Sequence, residues 1–460
     1  MKKTIIALLF LISIATYSHS QSISPEQKFS PQQLKEDLLY LKQQLFDVHI
    51  YPYSELSKSQ YGQLFDTIDM QLKDSLNATE FLKLVSPVIA YLSDEHANIS
   101  LKNNLLTSNY REEPIFLPLI LSKQGTNYSV AKVLSTQSDL LPGETITAID
   151  NKPVKEAIDK CSLHTTGYPD QRKEKALRQF GYLYPWTTTG ARHTFTIRTS
   201  AGKNINVQGI TLKVWQDELN RQTGWETKCD EMISYQKFGN TGCINACSFT
   251  ISDKKIDSLK NRISVIFELI QKDKLKYLFI DISKNSGGNS YVGTLLIDYI
   301  YDKSYRTYQS DWKKSEDYLK LLKSWGADPG DAYRQANAGD VLHFGPDTVD
   351  LLNNPYRFKG KVFVIVGDGT FSSAIMFATI IKDNHIAQIA GKIPANGHPN
   401  HFGELYNTKL PNTKIDLRFG VKEWIRPTGK TNDNELRPDI LVNPSMAREE
   451  LIKTVIEKAK

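Results

Sequence analysis

The chain has 460 residues, 40% of them hydrophobic, and 57 basic side chains against 51 acidic ones give a formal net charge of +6. That much apolar material supplies packed cores for two to four domains of roughly 150 residues each. The charges are spread along the chain and no basic run is interleaved with aromatics, which excludes a dedicated nucleic-acid binder.

The chain opens on MKKTIIALLFLISIATYSHS, with Lys2 and Lys3 ahead of an apolar run from Ile5 to Ile14. That run is shorter than the about 20 apolar residues a membrane span needs. Ser18 and Ser20 have the small-residue spacing of a signal-peptidase site. Residues 1–20 are therefore expected to be a signal peptide, leaving a soluble protein exported to the periplasm or secreted. No cysteine stands at the cleavage point to carry a lipid.

Residues 21–112 read as a helical domain. Leu34, Leu38, Leu41 and Leu45 share one helical stripe with Pro31 near its start. Phe81, Val85, Val88, Ile89 and Leu92 form a second, which stops at Ser93-Asp94-Glu95-His96. From 113 to 212 the pattern turns to short β-like runs (FLPLIL, YSVAKV, ETITAID, HTFTIRT) broken by Gly, Pro and Asn. Between Cys161 and Arg192 the sequence is polar and aromatic and shows no assignable element. From 213 to 460 helix and strand alternate: a helical face at Ile256, Leu259, Ile263, Ile266, Phe267 and Ile270, then the strand YLFIDI. The strand KVFVIVG, the helix SSAIMFATIIK and the strand AQIAG make a strand–helix–strand unit. Continuous apolar strands of this kind suit a parallel or mixed sheet covered on both faces. A β-rich stretch at 405–442 and an amphipathic helix end the chain.

Cys229, Cys243 and Cys247 cluster and Cys161 stands apart. An oxidising compartment favours pairing, but the spacing does not assign it. Cys243 and Cys247 lack the second pair a metal site needs, so structural thiols or a disulfide are expected.

Two loops follow buried strands, where α/β sheets place ligands. In Ser283-Lys284-Asn285-Ser286-Gly287-Gly288-Asn289, adjacent glycines let backbone N–H groups approach a ligand closely. In Gly367-Asp368-Gly369-Thr370-Phe371-Ser372-Ser373-Ala374, a serine opens a helix, beside unpaired N–H groups and a positive dipole end. Serine is also a common N-cap, so the position alone does not make it a nucleophile.

Taken with their strands, the two loops resemble the C-terminal-processing (tail-specific) peptidases and the related tricorn-core serine peptidases. That family carries Asp-x-Arg-x-Asn-x-Gly-Gly after a strand, here Asp281 to Gly288, and Thr-x-Ser-[Ala/Ser] at a helix start, here Thr370 to Ser373. The resemblance implies a multidomain α+β fold: an N-terminal helical domain, a PDZ-like β domain best matched from Leu141 to Val154, and an α/β core of the ClpP/crotonase-like type. It implies a nucleophile at Ser372, oxyanion donors at Gly287, Gly288 and Ser373, and no metal or organic cofactor. A PDZ-like unit would capture extended chain ends.

Lysine-using members carry their base in a Gly-Lys-Gly segment, which here reads Ala395-Asn396-Gly397-His398-Pro399-Asn400-His401. The tricorn-like branch takes its base from a histidine, and His96 is the matching position, with His398, His401 and Lys392 as rivals. That branch holds its histidine with a glutamate near the C-terminus, which suggests Glu435 ahead of Asp433. Ser283 replaces the family's arginine. The expected activity is hydrolysis of peptide or protein substrates through a Ser372 acyl-enzyme. The alternatives are a catalytically inactive relative that binds a peptide or small ligand in the same cleft, and a hydrolase for a non-peptide ester or glycan-linked amide. The oligomeric state is not set by the sequence.

Overall fold

The computed structural model describes residues 24, 26–101, 113–135, 139–187, 192–223, 229, 231–350, 353–430 and 433–459. The expected signal peptide at 1–20 lies outside these.

Helices α1 (Pro31–Val48), α2 (Lys58–Gln71) and α3 (Ala78–Ala90) make up most of the N-terminal part. Each begins with a capping box, Ser30–Gln33, Ser57–Gln60 and Asn77–Glu80, in which cap side chain and third residue satisfy each other's N–H groups. After α3, the segment Ser93–His96 leads into a short strand, β1 (Asn98–Ser100).

The middle of the chain folds into an antiparallel sheet of β2 (Leu119–Gln124), β3 (Asn127–Val133), β4 (Thr145–Ile149), β5 (Thr194–Thr199) and β6 (Asn204–Gln208), in that order. Helix α4 (Val154–Ser162) leads into the segment with no assignable element, which forms two more short helices, α5 (Pro169–Arg178) and α6 (Phe180–Thr187). The three helices lay Ile158, Leu177, Phe180 and Tyr184 into the core under Leu119, Ile149, Phe195 and Ile197.

Among the described residues the C-terminal part holds two large sheets and a two-stranded one, Tyr305–Arg306 with Thr348–Val349. In the first, β7 (Ser234–Phe238) is antiparallel to β8 (Thr241–Asn245). From β8 the order continues in parallel through β9 (Tyr277–Asp281), β12 (Lys361–Val366), β13 (Gln388–Gly391) and β16 (Ile440–Leu441). Helices α7 (Ile256–Lys272), α8 (Tyr291–Asp298) and α9 (Ser373–Asp383) cover one face, over Leu278, Ile280, Val364 and Val366. Helix α10 (Arg448–Lys458) covers the other, over Phe279, Phe363 and Ile365. Alternate side chains of YLFIDI and KVFVIV thus enter two different cores, which is why those strands lack polar alternation.

The second sheet has the order β11 (Val341–Phe344), β10 (Gln309–Lys313), β15 (Asp416–Ile425), β14 (His401–Lys409), and β1 also pairs with β15. Its apolar residues Trp312, Tyr406, Leu417, Phe419 and Val421 form one core with Leu41, Phe81 and Val85 of the N-terminal helices. Helices α1, α2 and α3 therefore close their core on strands from far later in the chain. Cys229 and Cys247 form a disulfide, while Cys161 and Cys243 are buried free thiols. No described helix is long and apolar enough to cross a membrane.

Candidate active site

The glycine loop is built from the end of β9. Asp281 accepts the Ser283 N–H on one carboxylate oxygen at 2.9 Å and pairs with Arg448 on the other at 2.5 Å. Asn285 is fully buried; its amide donates to the Ala246 carbonyl and its oxygen accepts the Gly287 N–H, each at 2.8 Å. Gly287 and Gly288 have φ of +97° and +137°. A Cβ on Gly287 would lie 2.7 Å from the Ser372 Cβ, and one on Gly288 2.3 Å from the Phe249 carbonyl carbon. Glycine is needed at both positions for conformation and for space.

Four hydrogen bonds stitch this loop to the turn after β12. The Gly369 N–H donates to Ser283 O, the Phe371 N–H to Asn285 O, and the Thr370 hydroxyl to Ile282 O. The Ser373 hydroxyl donates to Gly288 O at 2.6 Å. Ser372 then turns at φ +50°, ψ −127° and caps no helix N–H with its side chain. A serine at positive φ costs about 1–3 kcal/mol, which the surrounding bonds must offset. The turn aims its hydroxyl at His96, with Oγ 3.1 Å from Nε2.

His96 is fixed mainly through its backbone. Its N–H donates to Asp94 at 2.7 Å and its carbonyl accepts Arg418 Nε at 3.1 Å. Asp94, fully buried, also accepts the Gly420 N–H at 2.8 Å and lies 3.4 Å from His49 Nε2. Burial alone would raise the Asp94 pKa, but His49, His96 and the Gly420 N–H outweigh it and hold the carboxylate below its usual range. The His96 ring stacks on Phe371 with centroids 4.6 Å apart. Its Nδ1 has no hydrogen-bond partner among the described residues. Burial pushes the His96 pKa down, against the pull of Asp94 and Glu95, so the free imidazole dominates at neutral pH.

Of the residues singled out in the sequence, the structure brings Ser372, His96, Gly287, Gly288 and Ser373 together. The Gly287 N–H is already committed to Asn285, whereas those of Gly288 and Ser373 have no acceptor among the described residues. Glu435 is not brought to His96: it is ion-paired to Arg437 at 2.5 Å, and Arg437 also holds Asp433 at 3.0 Å. The physical reason is local, since an arginine two residues on neutralises that turn at the surface. His398 pairs instead with Glu95. His401 is buried with its ring 5.9 Å from that of His96, and burial, then His96, pushes its pKa down to about 3. Lys392 is exposed. The sequence reading missed Asp94, although a carboxylate two residues before a histidine is well placed to accept its N–H. It also missed Gln171 and Arg172, which reach this site from α5.

Residues 240–442 match the model of peptidase family S41. The fold is similar to mature CPAF, with 14% identity, 93% of this chain and 95% of that chain covered, and a TM-score of 0.56. It is likewise similar to mature CPAF complexed with lactacystin, at 15% identity, 93% and 97% coverage and a TM-score of 0.57. The tricorn protease aligns at 14% identity over 92% of this chain and 37% of its own, with a TM-score of 0.40. No curated protein matches in sequence. The matched segment contains the glycine loop, the turn of Ser372 and the strands that carry them, and the chain therefore carries a domain of peptidase family S41.

Proposed function

We propose that this protein is an exported serine peptidase in which Ser372 is the nucleophile and His96 the general base. The observation that carries the proposal is the 3.1 Å approach of His96 Nε2 to Ser372 Oγ across 276 residues of sequence, at a serine held in a strained turn. The Ser372 hydroxyl donates its hydrogen to Nε2, which is free to accept because burial keeps the imidazole neutral. As Oγ attacks a peptide carbonyl, the proton passes to His96 and the carbonyl oxygen becomes an oxyanion. The N–H groups of Gly288 and Ser373 supply its hydrogen bonds, while the Gly287 N–H keeps the turn in shape through Asn285. His96 then protonates the leaving amine as the C–N bond breaks. Water, deprotonated by the same imidazole, releases the acyl group.

In this proposal Glu435 takes no part, and His96 is held by Asp94, Arg418 and Phe371. The middle unit is taken as PDZ-like from its antiparallel sheet, and the mostly parallel sheet, which lies in the family-matched segment, as ClpP/crotonase-like. Residues 1–20 are taken as the export signal. The substrate class is an extended peptide or protein segment. The test is hydrolysis of an unstructured polypeptide by the purified protein and by Ser372→Ala. Cleavage that vanishes in the variant supports the proposal. Cleavage that persists moves the nucleophile elsewhere, and tight peptide binding without turnover in the wild type makes the cleft a receptor.

A further inference from the structure

The His96 imidazole has no partner on Nδ1 among the described residues, so its aim at Ser372 depends on the backbone of Ser93–His96 and on Phe371. Two adjacent side chains of α5, in the middle unit, grip that segment. Arg172 makes a bidentate pair with Glu55, Nη1 to Oε1 at 2.5 Å and Nη2 to Oε2 at 2.8 Å. The same Nη1 donates to the Ala90 carbonyl at 2.6 Å, at the end of α3. Glu55 in turn accepts the Ser93 hydroxyl at 2.7 Å, and Ser93 turns the chain at φ +53°. At the other end, Gln171 Nε2 donates to Glu95 Oε1 at 2.9 Å, and His398 donates its Nδ1–H to the same oxygen. Gln171, Arg172 and Glu95 are 3%, 5% and 7% exposed, so these bonds are shielded from water. Further along the helix, Ala176 and Leu177 are sunk in the core of the middle sheet. The helix is thus anchored in one unit while its polar side chains hold another.

We propose that α5 is a positioning element for the peptidase: Gln171 and Arg172, acting through Glu95 and Glu55, fix both ends of Ser93–His96 and thereby the reach of His96 to Ser372. A bidentate guanidinium–carboxylate pair constrains angle as well as distance, and a displacement of about 1 Å at a catalytic group can cost on the order of 100-fold in rate. In an ordinary triad a carboxylate on Nδ1 would absorb such errors; here the loop itself must be held. The inference rests on Ser372 and His96 being nucleophile and base.

The test compares peptide turnover and the rate of labelling by a fluorophosphonate probe in wild type, Ser372→Ala, Gln171→Leu, Arg172→Met and Arg172→Lys. Gln171→Leu is expected to lower kcat and the labelling rate about 10–100-fold, with KM within about twofold and an unchanged melting temperature. Arg172→Lys, which keeps charge but loses the fork, is expected to fall between wild type and Arg172→Met. Should Gln171→Leu prove unfolded, Gln171→Asn, which draws the amide back by one methylene, carries the same expectation. Wild-type kcat in the Gln171 and Arg172 variants, with only the melting temperature lowered, would make α5 a structural support and overturn the inference. Labelling that survives in Ser372→Ala would instead overturn the assignment of the nucleophile.

Discussion

At the scale of single residues, the site pairs a histidine that burial keeps neutral with a serine in a strained turn. His96 loses basicity through burial, while Asp94 and Glu95 restore part of it. Hydrolysis is therefore expected to rise with pH through a single group below the usual histidine value of about 6.5, read as log kcat/KM against pH. His96→Ala should remove nearly all activity, whereas Lys392→Ala should leave it unchanged. Asp94 has a second consequence. Its folded pKa lies below the value of about 3.9 that it has in an unfolded chain. Its stabilisation is thus complete above that value and is lost as pH falls through the lower folded pKa. An acid titration followed by circular dichroism should show Asp94→Asn destabilised at neutral pH by about 3 kcal/mol, with the difference from wild type shrinking below about pH 4. A difference that does not change with pH would mean the carboxylate is not charged in the folded protein.

At the scale of elements, the two loops act as one part. Gly287→Ala would push a methyl against the Ser372 Cβ and force φ +97° on an alanine. Its expected outcome is loss of activity with a stability cost of about 1–3 kcal/mol; near-normal turnover would mean the loop can move away from the nucleophile. The disulfide Cys229–Cys247 ties down the stretch whose Ala246 carbonyl receives Asn285 and whose Phe249 backbone pairs beside Gly288. Replacing both cysteines by serine should cost about 2–4 kcal/mol, seen in urea unfolding. These loops were legible in the sequence because glycine pairs, a helix-opening serine and continuous apolar strands are local features. The helix α5 was not: its apolar residues Ala176 and Leu177 are few, and what places it is Arg172 meeting Glu55 across 117 residues. Glu435 is a different case: it is paired to Arg437, two residues on, and spacing alone does not tell such a local ion pair from a reach toward a distant histidine.

At the scale of the molecule, His96 and Ser372, the proposed base and nucleophile, are 276 residues apart, and the shared core explains how they meet. Leu41, Phe81 and Val85 are buried against Leu417, Phe419 and Val421, and β1, just after His96, pairs with β15. Residues 213–460 alone would expose one side of that core and lack the base. Expressed by themselves they are expected to bind a hydrophobic dye and to react with no serine probe. A folded, probe-reactive fragment would show that the N-terminal helices are dispensable. The family match covers residues 240–442 and so does not contain His96; its place in the site comes from geometry alone. The most direct test is therefore the time course of fluorophosphonate labelling by intact-mass spectrometry, with the modified residue identified. A single adduct on Ser372 is expected, one that forms quickly in the wild type, is absent in Ser372→Ala and is slowed at least about 100-fold in His96→Ala. Labelling of another serine, or labelling of Ser372 at the wild-type rate without His96, would contradict it.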